Sequence, residues 1–121
     1  MSRLTVLAGV LGASAVAAGA FGAHGLADLV TPDRLAVWET AARYHLIHAL
    51  ALLALAAFGG RLGRAGRVAS AAFVLGVLVF SGSLYVLVLT DTAWLGMITP
   101  LGGLALIAGW LAVAAGGLSA R

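Results

Sequence analysis

Four long stretches of this chain carry no formal charge: residues 4–22, 44–59, 68–89 and 100–118. An apolar run of about 20 residues matches the roughly 30 Å hydrocarbon core of a bilayer when it is helical. Backbone polar groups in hydrocarbon must be paired within the segment, which leaves helices as the economical solution. The spacing therefore predicts an all-α integral membrane protein, a four-helix bundle with antiparallel up-down topology, as one domain over residues 1–121. Composition agrees. Of 121 residues, 63% are hydrophobic and 9% charged, more apolar surface than so small a soluble globule could hide.

The ends of these runs carry ordinary helix signals. Thr31-Pro32-Asp33 is a cap, a proline at the first helical position and an acid in the first turn. Thr99-Pro100 repeats the start. The second helix is expected to run unbroken from Pro32 to about Phe58, with its first part, up to Arg43, outside the hydrocarbon or at the interface, where Trp38 and Tyr44 suit the headgroup level. Gly59 to Arg67 reads as a tight basic turn. Small residues four apart (Ala8/Gly12, Ala15/Gly19/Ala23, Ala72/Gly76, Ala105/Gly109) predict close helix contacts. The first run also admits a signal-peptide reading, with Arg3 as its basic start and Ala18-Gly19-Ala20 as a cleavage site. The continuing small-residue spacing argues for a retained helix.

All seven basic residues are arginine. Arg3, Arg61, Arg64, Arg67 and Arg121 fall on one side of a four-span chain. Arg34, Arg43 and the four acids, Asp28, Asp33, Glu39 and Asp91, fall on the other. The positive-inside rule then predicts both termini in the cytoplasm of a bacterial inner (plasma) membrane. The arginines mark topology, and no nucleic-acid partner is expected. With no cysteine, disulfides and thiolate metal sites are excluded.

The candidate chemistry lies at Arg43-Tyr44-His45-Leu46-Ile47-His48, where a charged stretch runs into an apolar one. Ionisable groups near hydrocarbon are costly and point to function. A step of 100° per residue puts Ala41, His45, His48 and Leu52 on one stripe. Glu39 and Arg43 fall on the opposite face, where they are spaced for an i,i+4 ion pair. His24 ends the first run at the same outer level. An outer-side pocket of His24, Tyr44, His45, His48, Ser81, Ser83 and Tyr85 could take lipid, quinone or haem, and the three histidines are the candidate metal ligands. The competing structural reading makes each histidine a helix-end or backbone-bonded group, and each serine one that bonds its own i−4 carbonyl. No cofactor is required by the pattern, and no catalytic constellation or phosphate loop is present.

Several motifs carry a resemblance. They are Gly19-Ala20-Phe21-Gly22-Ala23-His24-Gly25-Leu26, Trp38-Glu39-Thr40-Ala41 with Tyr44-His45 and His48 to Leu53, Phe80 to Tyr85, Ile98 to Gly103, and Ala108-Gly109-Trp110. In this order, over almost the whole chain, they resemble the small integral membrane proteins of domain-of-unknown-function family four-two-three, which has a mitochondrial branch in animals. The resemblance implies a four-span inner-membrane protein and assigns no activity. The expectation is a non-enzymatic accessory or assembly partner of a membrane complex, with lipid and either another membrane protein or further copies of itself as partners. The alternatives are the lipid-, quinone- or haem-binding module and a small oligomeric transporter or channel.

Overall fold

The computed structural model describes residues 2–120 and holds helices and no strand among them. Arg121, counted above with the basic side, lies outside the described residues. The α-helices are α1 (Arg3–His24), α2 (Pro32–Phe58), α3 (Gly63–Thr90) and α4 (Thr99–Ser119). Single 3₁₀ turns, Leu26–Asp28, Gly59–Leu62 and Ala93–Met97, fill the connections. Three continuous helical stretches are long and apolar enough to cross a membrane: Arg3–His24, Pro32–Thr90 and Ala93–Ser119. The middle one is 59 residues long and comprises α2, the Gly59–Leu62 turn and α3.

Local chemistry explains the helix ends. Ser2 caps α1 by accepting from the Thr5 N–H, and Thr31 caps α2 by accepting from the Arg34 N–H. The second Thr-Pro pair behaves differently from the first. Ile98 takes the cap position of α4, and Thr99 lies inside the helix, buried, with its hydroxyl 2.6 Å from that of Ser83 on α3. A hydroxyl committed to a neighbouring helix is not available to cap its own. The basic turn is shorter than its composition suggests. Gly59 (φ 60) and Gly63 (φ 58) bracket it, both with ψ near −135°, a region open essentially to glycine alone. Arg64 and Arg67 already belong to α3.

Helix contacts run between chain neighbours, α1 on α2, α2 on α3 and α3 on α4. One apolar cluster joins Ala8, Leu52, Leu55, Ala69, Phe73, Val77 and Leu106; a second joins Leu26, Trp38, Leu87 and Val88. The buried seam of α1 is Ala8, Ala15 and Gly22, while Gly19 and Ala23 are exposed. A seven-residue step falls about 20° short of two turns, whereas each four-residue step overshoots one turn by about 40°, so the seven-residue series stays on the α2 side. The α3–α4 contact uses glycines as expected: Gly76 meets Leu106, Gly109 meets Phe73, and Gly102 meets the Phe80 backbone. Large apolar side chains cover the outside, among them Val10, Leu50, Leu75, Leu104 and Leu111. Hydrocarbon solvates such a surface; water does not.

Trp38 is buried in this packing, 5% exposed. It fills the notch at Gly22, donates its indole N–H to the Ala18 carbonyl at 2.8 Å and packs at a tilt against Tyr85, ring centroids 4.6 Å apart. Neighbouring helices thus enclose Trp38. The first part of α2 is packed between α1 and α3.

Candidate functional site

The buried stripe of α2 contains Ala41, His45, His48 and Leu52, as the helical spacing predicts. His45 and His48 lie near the middle of α2, and so do their contacts Ser14 on α1 and Trp110 on α4 within their own helices. The histidines therefore sit half-way along the helices.

His48 can be assigned a tautomer from its partners. An indole N–H only donates, so Trp110 Nε1–H, 3.0 Å away, makes His48 Nε2 an acceptor. Nδ1 then carries the proton and donates to the Tyr44 carbonyl at 2.7 Å. The ring is neutral and both nitrogens are used. Phe73, at a centroid distance of 5.3 Å, and Trp110, at 5.8 Å, wall it in.

His45 is the centre of a second chain of bonds. Tyr85 Oη lies 2.9 Å from Nδ1 and Ser14 Oγ 3.0 Å from Nε2. Ser14 Oγ also donates to the Leu11 carbonyl at 3.0 Å. Every proton finds an acceptor in one assignment: Tyr85 O–H donates to Nδ1, Nε2–H donates to Ser14, and Ser14 donates to Leu11. In that assignment His45 is neutral, with both nitrogens hydrogen-bonded. Among the described residues no buried side-chain nitrogen or oxygen lacks a partner.

The other predicted residues divide. Ser81 adjoins this network but donates across helices to the Ala41 carbonyl at 2.7 Å instead of to its own i−4 carbonyl. Tyr44 contributes its carbonyl and packs its ring 4.7 Å from Phe80. Ser83 turns away, bonding Phe80 O and Thr99. His24 is exposed at the end of α1. Ser14, which touches His45, precedes it by ten residues, or roughly 15 Å of helix. The three imidazoles therefore do not converge, and no group of three His, Cys, Asp or Glu that could hold a metal exists among the described residues. Glu39 and Arg43 form no ion pair with each other; Arg34 instead meets Asp91 at 3.0 Å.

Sequence reasoning missed Ser14, Phe73 and Trp110. Trp110 alone offered a signal, since an indole N–H within an apolar span requires an acceptor. An apolar groove of about 220 Å³ lies against this network, lined by Leu11, Ser14, His45, Val77, Ser81 and Tyr85. A larger hollow, about 440 Å³, lies away from His45 and His48 and is lined by Phe21, Leu26, Arg34 and Asp91 among others.

Comparison with known proteins adds the family. A family model described as "Protein of unknown function (DUF423)" matches residues 18–103. The chain is 44% identical over 110 residues to the UPF0382 membrane protein SAB0533 of Staphylococcus aureus (strain bovine RF122 / ET3-1), covering 90% of each chain. It is 39% identical over 115 residues to the UPF0382 membrane protein YwdK of Bacillus subtilis (strain 168), covering 93% of this chain and 94% of that one. A third relative, SH2409 of Staphylococcus haemolyticus, is 41% identical over 111 residues, covering 92% and 91%. No solved structure matches. Extent and identity together make this chain a member of the DUF423 family, related over nearly its whole length to bacterial UPF0382 membrane proteins.

Proposed function

We propose that the protein is a non-enzymatic accessory or assembly subunit of the bacterial inner membrane: an antiparallel, up-down four-helix bundle that spans four times, with both termini in the cytoplasm. The observation that carries this reading is the closure of the polar network. Both nitrogens of His45 and of His48 are hydrogen-bonded to protein partners, to side chains on α1, α3 and α4 and to the Tyr44 carbonyl on α2 itself. Such closed networks fix helix register in lipid, where apolar packing alone discriminates little between helix neighbours. The sequence of contacts supports the antiparallel order: Trp38 reaches Ala18, His48 reaches Phe73, and Gly102 reaches Phe80. Arg61, Arg64 and Arg67 at the α2–α3 turn support its cytoplasmic placement.

The test is cysteine labelling, which the cysteine-free chain permits. Arg64→Cys should be protected from an impermeant maleimide added outside intact spheroplasts, and Asp28→Cys should react. The opposite pattern overturns the topology. Gentle-detergent purification tests the role: a protein that stays strictly monomeric and brings no membrane protein with it would remove the subunit reading.

The groove beside His45 supports a second reading, a module for a lipid chain or quinone. Its apolar lining suits such a molecule, with Ser14 and Tyr85 at the wall. Quinone or lipid binding unchanged by His45→Ala would sink it.

A further inference from the structure

The hollow of about 440 Å³ has the volume of a small-molecule pocket and a lining of two kinds. Its wall is apolar: Phe21 in the last turn of α1, Leu26 in the connection to α2, and Val88 and Leu89 in the last turn of α3. Leu26 and Val88 are buried and Leu89 is exposed, so the wall leads from the surface into the packing. Its polar part is Thr31, Arg34 and Asp91. Arg34 Nη2 meets Asp91 Oδ1 at 3.0 Å. A guanidinium carries five N–H donors and a carboxylate two acceptor oxygens, so that contact leaves both groups with capacity to spare. Thr31 accepts from the Arg34 N–H and keeps its own O–H to donate.

Neither charge suits the helix end that carries it. Arg34 is in the first turn of α2, where the macrodipole is positive, and Asp91 follows the last residue of α3, where it is negative. Asp91 also holds a φ of 52°, the left-handed position usually given to glycine. The rim of the hollow thus has two poles side by side, a positive one at Arg34 and a negative one at Asp91, each reinforced by its helix end. We infer that the hollow takes one zwitterionic glycerophospholipid of the phosphatidylethanolamine type. Its phosphate meets Arg34 and Thr31, its ammonium meets Asp91, and one acyl chain lies along Phe21, Leu26 and Leu89. The inference rests on the four-span reading, which puts these helix ends at the headgroup level of the outer leaflet. The charge balance of that side selects the headgroup. Asp28, Asp33, Glu39 and Asp91 stand there against Arg34 and Arg43. This excess of acid disfavours a net-anionic lipid such as phosphatidylglycerol and admits one whose charges cancel. Asp28 and Asp33 do not line the hollow, so the phosphate meets no carboxylate but that of Asp91.

The test loads the whole chain, purified in mild detergent, with phosphatidylethanolamine, phosphatidylglycerol or phosphatidylcholine at rising concentration, and native mass spectrometry counts the lipid retained. One phosphatidylethanolamine per chain should bind, about tenfold more tightly than phosphatidylglycerol. It should also bind more tightly than phosphatidylcholine, whose methylated ammonium has no N–H to donate to Asp91. Asp91→Asn keeps a side chain that tolerates the left-handed backbone and removes the negative pole. It should weaken phosphatidylethanolamine about tenfold and tighten phosphatidylglycerol, because Arg34 is then released for an anion. Arg34→Gln should weaken both. A purely structural ion pair would move all three lipids alike. Equal binding of the three lipids marks annular lipid only and overturns the inference, as does a preference for phosphatidylglycerol or an order of affinity unchanged by Asp91→Asn. Glycerophosphoethanolamine, the same headgroup without chains, should not displace the lipid at equal concentration; displacement would make this a site for a free zwitterion and overturn the lipid. The topology assay distinguishes the two failures. Asp28→Cys labelled from outside in a chain that retains no phosphatidylethanolamine removes the site alone, whereas a protected Asp28→Cys removes the four-span reading and the charge balance that rests on it.

Discussion

Trp110 and His48 are joined by an indole N–H donating to imidazole Nε2 at 3.0 Å, the polar link between α4 and α2. The bond runs past Phe73 of α3, whose ring lies 4.9 Å from Trp110 and 5.3 Å from His48. One imidazole thus touches three helices, its own included.

Truncating that imidazole should loosen the packing of all three helices. His48→Ala leaves the Trp110 N–H unpaired and opens a void beside Phe73. Interhelical hydrogen bonds in membranes contribute about 0.6–2 kcal/mol, and the void adds to the loss. Unfolding in mixed micelles titrated with dodecyl sulfate should shift to lower detergent fraction. In a double-mutant cycle, His48→Ala and Trp110→Phe should show coupling of about 1 kcal/mol. Additivity would mean the bond contributes nothing.

Close approach makes one glycine of α4 far less replaceable than one of α1. A Cβ on Gly102 would collide with the backbone of Phe80, which cannot swing aside, whereas a Cβ on Gly19 would meet nothing within 4 Å. Gly102→Ala should cost about 1–3 kcal/mol as overpacking. Gly19→Ala should be neutral, or stabilise by up to about 1 kcal/mol through helix propensity. The same detergent titration compares them, and equal costs would contradict the packing.

Gly63 is constrained by conformation instead of space. Nothing lies within 4 Å of its would-be Cβ, yet its φ is 58°. Gly63→Ala should cost about 1–3 kcal/mol, while Gly60→Ala, in open space at ordinary φ, should cost under about 1 kcal/mol. Thermal unfolding followed by circular dichroism would rank the two.

The Arg34–Asp91 pair should matter little by comparison. The Asp91 side chain is 82% exposed and that of Arg34 31%, and exposed ion pairs contribute about 0–1 kcal/mol. Arg34→Gln should leave the unfolding midpoint nearly unchanged, and any small difference should fade in high salt. A large, salt-independent loss would show that Arg34 serves some other contact.

What could be read from the sequence followed from periodicity and capping. The stripe of Ala41, His45, His48 and Leu52 needed only the helical step, and Thr31-Pro32 only the cap rule. Partners could not be read that way. Whether a histidine bonds Ser14 or Trp110 depends on which helix lies opposite and at what depth, which is a tertiary fact. Thr99 shows the same limit, since its local signal says cap and its neighbour Ser83 makes it a packing hydroxyl. The placement of Glu39 opposite the histidines was legible; that it and Arg43 would stay apart while Arg34 reached Asp91 was not, because both outcomes satisfy the local charge pattern.

The α2–α3 connection bears on how such a chain is made. Gly59–Leu62 is a single 3₁₀ turn between helices of 27 and 28 residues. With no slack between them, neither helix can take up its final place while the other is still in the ribosome or the translocation channel. In a four-span arrangement the pair would have to enter the bilayer together, as a helical hairpin trailing its arginines on the near side. An insertion of a few flexible residues at Gly60 would then uncouple two steps that the native turn makes one, and its effect should be seen in biogenesis before it is seen in the finished protein.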